Sequence, residues 1–458
     1  MTSTEPVPQV LNDNGAWCWF QDERALVDPE RGLLVVGSIA SVGGKDGDRR
    51  GGDLDLNVVD LGSGAVQVVT LHEGFESDDH DVSALWLRPD GRWLAVYARH
   101  KTDDNTYWRI SEPHDPTRWG EEKVFDWSEL TEGRHVTYSN LHELDGRLYC
   151  FVRAINDDPC ALVSDDHGDT WTFAGKLFER EKVGYVNAYA RYAEGPDGLH
   201  VIATDHHPRD YDNAIHHGVL SGGWRHDSTG AVVGGELFTE PAPNQDRLTT
   251  ILPVGSEVGG ARLSHAWTTD LRVVDGVVSA VMTARAGHPG WPESASIDGA
   301  DAVRDADGND VPVPDLRLVY ARLGKGGTWA VHPLAAAGPG LLPHEQDYTG
   351  LAALDPYDPD HLVLSTPIDP RDGRALPHRE LFRGRTEDGG ASWAWTAITE
   401  DSGVDNLRPI LAPGDPATEH LLWFRGTMAS SQRFDCEVVL RSVPRPDDPA
   451  TPDAGETR

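Results

Sequence analysis

The side chains of this sequence best suited to chemistry are histidines, tyrosines and arginines placed at the ends of short apolar runs. Ser77-Asp78-Asp79-His80-Asp81 stands just ahead of one run, and Tyr97-Ala98-Arg99-His100 closes the next. His80 and His100 therefore flank one hairpin, and their side chains can converge. An imidazole wedged among acids is poised for proton transfer. The adjoining Asp78 and Asp79 read as a turn with solvated charge. Tyr138 and Arg153 sit at opposite ends of a second hairpin, where the alternative is a core aromatic and a surface ion pair. Tyr189 and Arg191 share a face by strand alternation. His207 stands at a strand end in Thr204-Asp205-His206-His207-Pro208, with His216-His217 following. Adjacent strand residues point to opposite faces, so each histidine pair offers one metal ligand in any direction, and a ligand-facing His207 is the better reading. Arg408 and Arg425 can both face a central channel, or each can pair with an acid on a rim.

A set of His, Tyr and Arg with carboxylates secondary bears on the reaction. Hydrolysis by two carboxylates needs an acid and a base or nucleophile flanking the bond. Elimination from a uronate needs a cation to neutralise the carboxylate, a base for the C5 proton and an acid for the leaving O4. The set suits elimination better.

The elements that must position these residues are short strands. Ser164-Asp165-Asp166-His167-Gly168-Asp169-Thr170-Trp171 and Thr386-Glu387-Asp388-Gly389-Gly390-Ala391-Ser392-Trp393 both fit Ser/Thr-x-Asp-x-Gly-x-Ser/Thr-Trp. This "Asp box" is a hairpin device: Asp caps its own backbone and Gly takes positive φ. It does no chemistry itself. Apolar runs flank Gly62-Ser63-Gly64, Pro89-Asp90-Gly91 and Asp145-Gly146, which read as hairpins. Trp119, Trp171, Trp224, Trp329 and Trp393 recur at about 50–65 residues or double that. Trp224 and Trp329 read as decayed boxes. The expected fold is all-β, a seven-bladed β-propeller, with six or eight blades as alternatives. Such a ring is one domain, expected over residues 15–441, because a blade cannot bury both its faces alone. Residues 1–14 read as a disordered lead, 286–315 as a long loop insertion, and 442–458 as a disordered tail.

The 48 glycines and 31 prolines suit many turns, and the 15 tryptophans suit sheet packing. A net charge of −35 argues against nucleic acid and anionic membranes as partners, so an anionic ligand needs a local cluster of Arg and His. No apolar run approaches a membrane span. The N-terminal residues show neither a basic start nor an apolar core, and the expectation is a cytoplasmic protein. Cys18, Cys150, Cys160 and Cys436 show no CxxC pairing and read as buried thiols, with a Cys/His metal site the lesser alternative.

Several stretches together resemble one subgroup of bacterial neuraminidase repeat (BNR) proteins: Gly15-Ala16-Trp17-Cys18-Trp19-Phe20-Gln21-Asp22-Glu23-Arg24-Ala25, Asp78-Asp79-His80, Tyr348-Thr349-Gly350-Leu351, Glu387-Asp388-Gly389-Gly390-Ala391-Ser392-Trp393 and Asp405-Asn406-Leu407-Arg408-Pro409-Ile410. The resemblance spans residue 15 to about 440. It implies a seven-bladed propeller enzyme acting on rhamnose–uronate linkages, as ulvan lyases, rhamnosyl-glucuronate lyases and a related α-L-rhamnosidase do. It further implies an acidic oligosaccharide as partner, with His80 and His100 at the paired histidine positions, one of them the base, Tyr138 or the other histidine the acid, and Arg153, alone or with Arg191 or Arg408, the carboxylate binder. Tyr189, Arg191, His207, Arg408 and Arg425 are the substrate-binding candidates. No cofactor is required. Some members hold a structural calcium or zinc ion, and no ligand set for either maps onto this sequence. The alternatives are hydrolysis of the same linkage and a non-catalytic glycan-binding propeller.

Overall fold

The computed structural model describes residues 7–181, 188–287 and 303–445. These form seven antiparallel sheets. In chain order, blades 1 to 7 start at residues 25, 84, 137, 190, 257, 352 and 405. Each blade is built from hairpins, and its main strands follow one another across the sheet, with one extra strand off that path in blades 2 and 4. The first strands of neighbouring blades touch one another and line the centre. The fold is an all-β seven-bladed β-propeller.

The ring closes with a strand from the other end of the chain. Gln9–Asn12 pairs antiparallel with Val438–Leu440 and becomes the outer strand of blade 7. Part of the lead expected over 1–14 is therefore this strand. Pairing gives that blade's edge a partner and buries Leu11. At the other end, the last strand runs to Pro444, past the expected boundary at 441. Residues 1–6, 446–458 and the centre of the expected 286–315 loop (288–302) lie outside the described residues, as does Tyr185-Val186-Asn187.

Both Asp boxes build the same turn. The Ser164 hydroxyl donates to Asp166 Oδ1 at 2.8 Å, Thr170 N donates to the same oxygen at 2.8 Å, and Gly168 N donates to Ser164 Oγ at 2.8 Å. Thr386, Asp388, Ser392 and Gly390 repeat the pattern at 2.9, 2.9 and 2.8 Å. Gly168 and Gly390 have φ of +90° and +98°, and a Cβ at either would strike Leu94 or Tyr320 of the preceding blade. Trp171 and Trp393 then pack in the apolar layer against that blade. Trp224 does not: it is 37% exposed. Its Gly222-Gly223 is a tight hairpin with φ of +59° and +78°, held by two N–H donors to Asp145, and not a decayed box. Trp329 does pack, on the His217 ring at 4.9 Å.

The centre of the ring is filled by residues 16–24. Trp17, Trp19 and Phe20 are each 2% exposed or less. Phe20 stacks on Trp267 at 4.1 Å, and Trp19 on Tyr348 at 5.0 Å. Beside them lies a buried ionic network. Arg191 reaches Glu23 at 2.9 Å and Asp270 at 3.1 Å, and Arg272 reaches Glu23 at 2.8 Å. This plug makes one end of the channel solid and leaves the other as a mouth.

Candidate active site

The mouth lies where first strands begin and second strands end. Residues 78–81 precede the first strand of blade 2, and His100 follows its second strand, Trp93–Ala98. Asp78 caps the short helix Asp79–Asp81 by accepting from His80 N at 3.0 Å. Its two oxygens then do separate work. Oδ1 accepts from His80 Nδ1 at 2.7 Å and Oδ2 from His100 Nδ1 at 2.9 Å, with Gln432 Nε2 donating to Oδ2 at 2.6 Å. The two rings stack at 3.7 Å, 12° from parallel. Asp78 and Asp79 are 3% and 0% exposed, so the solvated-turn reading is corrected: the turn faces inward because both histidines need its carboxylates.

With each Nδ1–H committed to a carboxylate, Nε2 is the atom left to titrate in each ring. Burial would lower His80, but the charge of Cys18 and Asp78 outweighs it and holds His80 well above the usual imidazole value. Burial and the charge on His80 push His100 down to about 4, against the pull of Asp78. The pair is split into a charged and a neutral imidazole, an arrangement that assigns acid and base roles.

Tyr138 and Arg153 join them from blade 3. Tyr138 has φ of +69°, and the pairing of its strand with the next shifts register between Thr137 and Asn140. A bulge with a left-handed non-glycine residue re-aims a side chain at a cost of order 1–3 kcal/mol. The Tyr138 hydroxyl has no hydrogen-bond partner among the described residues. Burial raises its pKa well above the ordinary phenol value, so it stays protonated. The Arg153 guanidinium lies 4.8 Å over the Tyr138 ring and 5.2 Å over the Tyr189 ring. It is 4% exposed, and none of its three nitrogens makes a hydrogen bond among the described residues. With Phe20, Tyr138 and Tyr189 it lines a cavity of about 20 Å³, room for one small polar group and not for a sugar ring.

Tyr189 and His207 also lie at the mouth. His207 Nδ1 accepts from Arg209 N at 3.2 Å, which leaves Nε2–H to face the Tyr189 hydroxyl at 3.3 Å. Burial and the Arg209 charge keep His207 well below the usual value, hence neutral.

The remaining candidates are placed elsewhere. Arg191 is 1% exposed and consumed by Glu23 and Asp270. Arg408 gives its N–H groups to the carbonyls of Cys18 at 3.3 Å and Gln21 at 3.0 Å. Both hold the plug: they point inward and meet residues 18–23 there. Arg425 pairs with Glu437 across the ladder of blade 7. The alternative rim-pair reading fits it.

Glu345, Tyr348, Trp267, Arg209 and Gln432 complete the mouth and carried no local signal beyond the Tyr348-Thr349-Gly350 stretch. The four cysteines are buried and free. Among the described residues three groups bring metal-type donor atoms within 4.8 Å of one another. In Asp78, His80 and His100, and in Cys18, Asp79 and His80, the His80 Nδ1 already faces Asp78 at 2.7 Å and Asp79 at 2.8 Å. In Asp355, His361 and Glu419 the acids are held by Arg445 and Arg383. These arrangements fit hydrogen bonding and ion pairing better than a metal, and no step below uses one.

The chain is a seven-bladed β-propeller, and part of it is similar to BNR-repeat proteins. A family model described as "BNR repeat-containing family member" matches residues 54–258. No curated protein matches the chain. Among solved structures, an ulvan lyase described as a new family of polysaccharide lyase, PL25, superposes with a TM-score of 0.64 at 13% identity, covering 94% of this chain and 95% of that one. The same lyase bound to -[GlcA(1-4)Rha3S]- gives 0.63 at 13% identity over 94% and 95%. The polysaccharide lyase Uly1 gives 0.54 at 11% identity over 96% and 94%. At these identities the likeness is one of fold.

Proposed function

We propose that the protein is a lyase that releases L-rhamnose from an α-1,4-linked D-glucuronate by β-elimination. The observation that carries this reading is Arg153, a buried guanidinium without a hydrogen-bond partner among the described residues, set beside a histidine pair of split charge. A buried cation of this kind demands an anion, and a carboxylate matches its fork. The solved ulvan lyase described with a glucuronate–rhamnose ligand supports the substrate class.

The uronate carboxylate is held by Arg153, which neutralises it and makes the C5 proton acidic. Neutral His100 accepts that proton at Nε2. The C5–H electron pair becomes the C4–C5 double bond, and the C4–O4 bond breaks. Tyr138 gives its hydroxyl proton to O4, and rhamnose departs carrying that oxygen. The His80 imidazolium faces the negative charge that develops on the carboxylate. Tyr189, steadied by His207, contacts sugar hydroxyls.

Incubation with a rhamnosyl-glucuronate oligosaccharide tests this directly. The expected result is rising ultraviolet absorbance from the unsaturated uronate, with free rhamnose. Rhamnose without that absorbance, and a saturated product heavier by one water, would make the protein a hydrolase. Binding without cleavage would make it a glycan-binding module. His80→Ala and His100→Ala should each abolish turnover, and full activity in both would sink the assignment.

A further inference from the structure

The mouth has two unlike walls. Blade 3 carries Arg153, whose guanidinium has no hydrogen-bond partner among the described residues. Across the sevenfold ring, the segment ahead of blade 6 carries Glu345 and Asp347, and the arginines beside them are already engaged. Arg285 clamps Asp347 with contacts of 2.7 and 3.0 Å. Arg209 is shared between Asp210, at 2.9 Å, and Glu345, at 3.3 Å. Asp79 adds a buried carboxylate that faces His80 Nδ1 at 2.8 Å. Glu345 keeps 22% of its side chain exposed and lies close enough to His80 to feel its charge. One wall is thus built to receive an anion, and the other presents carboxylates already paired with Arg209, Arg285 and His80.

We propose that Glu345 is a specificity residue that accepts hydroxyl groups of the sugar joined to the uronate and rejects an anionic ester on that sugar. The inference rests on reading Arg153 as the uronate site. A neutral sugar brings hydroxyl donors, which a carboxylate accepts well. A sulfate brings only acceptors and a second negative charge. It would meet Glu345 in a partly desolvated mouth where charge interactions are weakly screened. The preferred substrate is then a rhamnosyl-glucuronate whose rhamnose is unsulfated, in contrast to the sulfated ligand described for the ulvan lyase. Discrimination of this kind comes from an element that repels the wrong ligand as much as from one that attracts the right one.

The test is calorimetric binding of two matched oligosaccharides, one with and one without a 3-sulfate on rhamnose, at low and moderate salt. Wild type, Glu345→Gln and Arg153→Ala are compared. Wild type should bind the unsulfated ligand at least about tenfold more tightly, and Glu345→Gln should shrink that ratio by at least about threefold. Equal or tighter binding of the sulfated ligand by wild type overturns the proposal, and so does an unchanged ratio in Glu345→Gln. Arg153→Ala separates the two readings. Loss of both ligands supports the uronate site, whereas retention of both with the ratio intact moves that site elsewhere and leaves the role of Glu345 standing. If wild type binds neither ligand, both readings fall.

Discussion

The His80 and His100 rings stack 3.7 Å apart, 12° from parallel, and lean on opposite oxygens of one carboxylate. Two imidazolium rings this close would repel strongly in a buried site, so the stack carries one charge at a time. Asp78 fixes which nitrogens are free and which ring is charged. Asp78→Asn should lower kcat by about 10²–10³ with KM changed far less, because the amide can present an N–H where an acceptor is needed. Steady-state kinetics and a crystal structure of the variant check this. An unchanged kcat would mean the stack is structural.

The pH profile follows from the same split. His100 must be neutral to accept a proton, and its pKa is pushed down to about 4 by burial and the neighbouring charge. As pH falls, kcat/KM should hold well below the ordinary imidazole value of about 6.5 and decline only near pH 4–5. His80 is held above that value, so neutral pH leaves it charged. An acid limb near 6.5 in initial rates would show that the base titrates as an unperturbed histidine.

Much of this was legible in the sequence, and the reasons differ by residue. The Asp boxes and hairpin turns are local backbone chemistry, so blade number followed from spacing. His80, His100, Tyr138 and Arg153 sit at strand ends flanking hairpins, and a hairpin brings its ends together whatever the rest of the chain does. Asp78 was misjudged because burial is a property of the assembled ring. Arg191 and Arg408 were misjudged because strand alternation gives a face and not a depth: both point inward but meet the plug. Glu345 and Arg209 lie in loops of different blades, about 136 positions apart in sequence, and no periodicity links such residues. The closing strand Gln9–Asn12 was hidden because its partner is more than 400 positions away.

Arg191 and Arg425 should therefore behave differently from each other and from Arg153. Arg191→Ala leaves Asp270 buried without its 3.1 Å partner and Glu23 with Arg272 alone, and should cost roughly 3–5 kcal/mol of stability. Arg425→Ala removes a half-exposed pair and should stay within about 0.5 kcal/mol of wild type, with kcat/KM unchanged. Denaturant melts and initial rates decide it. A stable Arg191→Ala protein with raised KM would return that residue to the substrate site.

His142 offers a stability test far from the chemistry. Its Nε2 lies 2.9 Å from Asp22 of the plug, and its Nδ1 lies 3.4 Å from Glu194. Burial opposes the charge, but the two carboxylates win and raise the pKa from 6.5 to about 9. A histidine with a raised folded pKa binds its proton more tightly when folded. Its contribution is therefore complete below about pH 6.5 and is lost as pH climbs through about 9. The full effect is at most about 3 kcal/mol, since one pKa unit corresponds to about 1.4 kcal/mol. Denaturant unfolding at pH 6 and pH 9.5 should show wild type losing more stability than His142→Asn between the two values. Asn keeps a polar side chain but has no charge to lose, so the difference between the two proteins isolates this residue from other alkaline titrations. Equal losses in both would mean that His142 is neutral in the folded protein and that the plug is held by the Arg191 network without it.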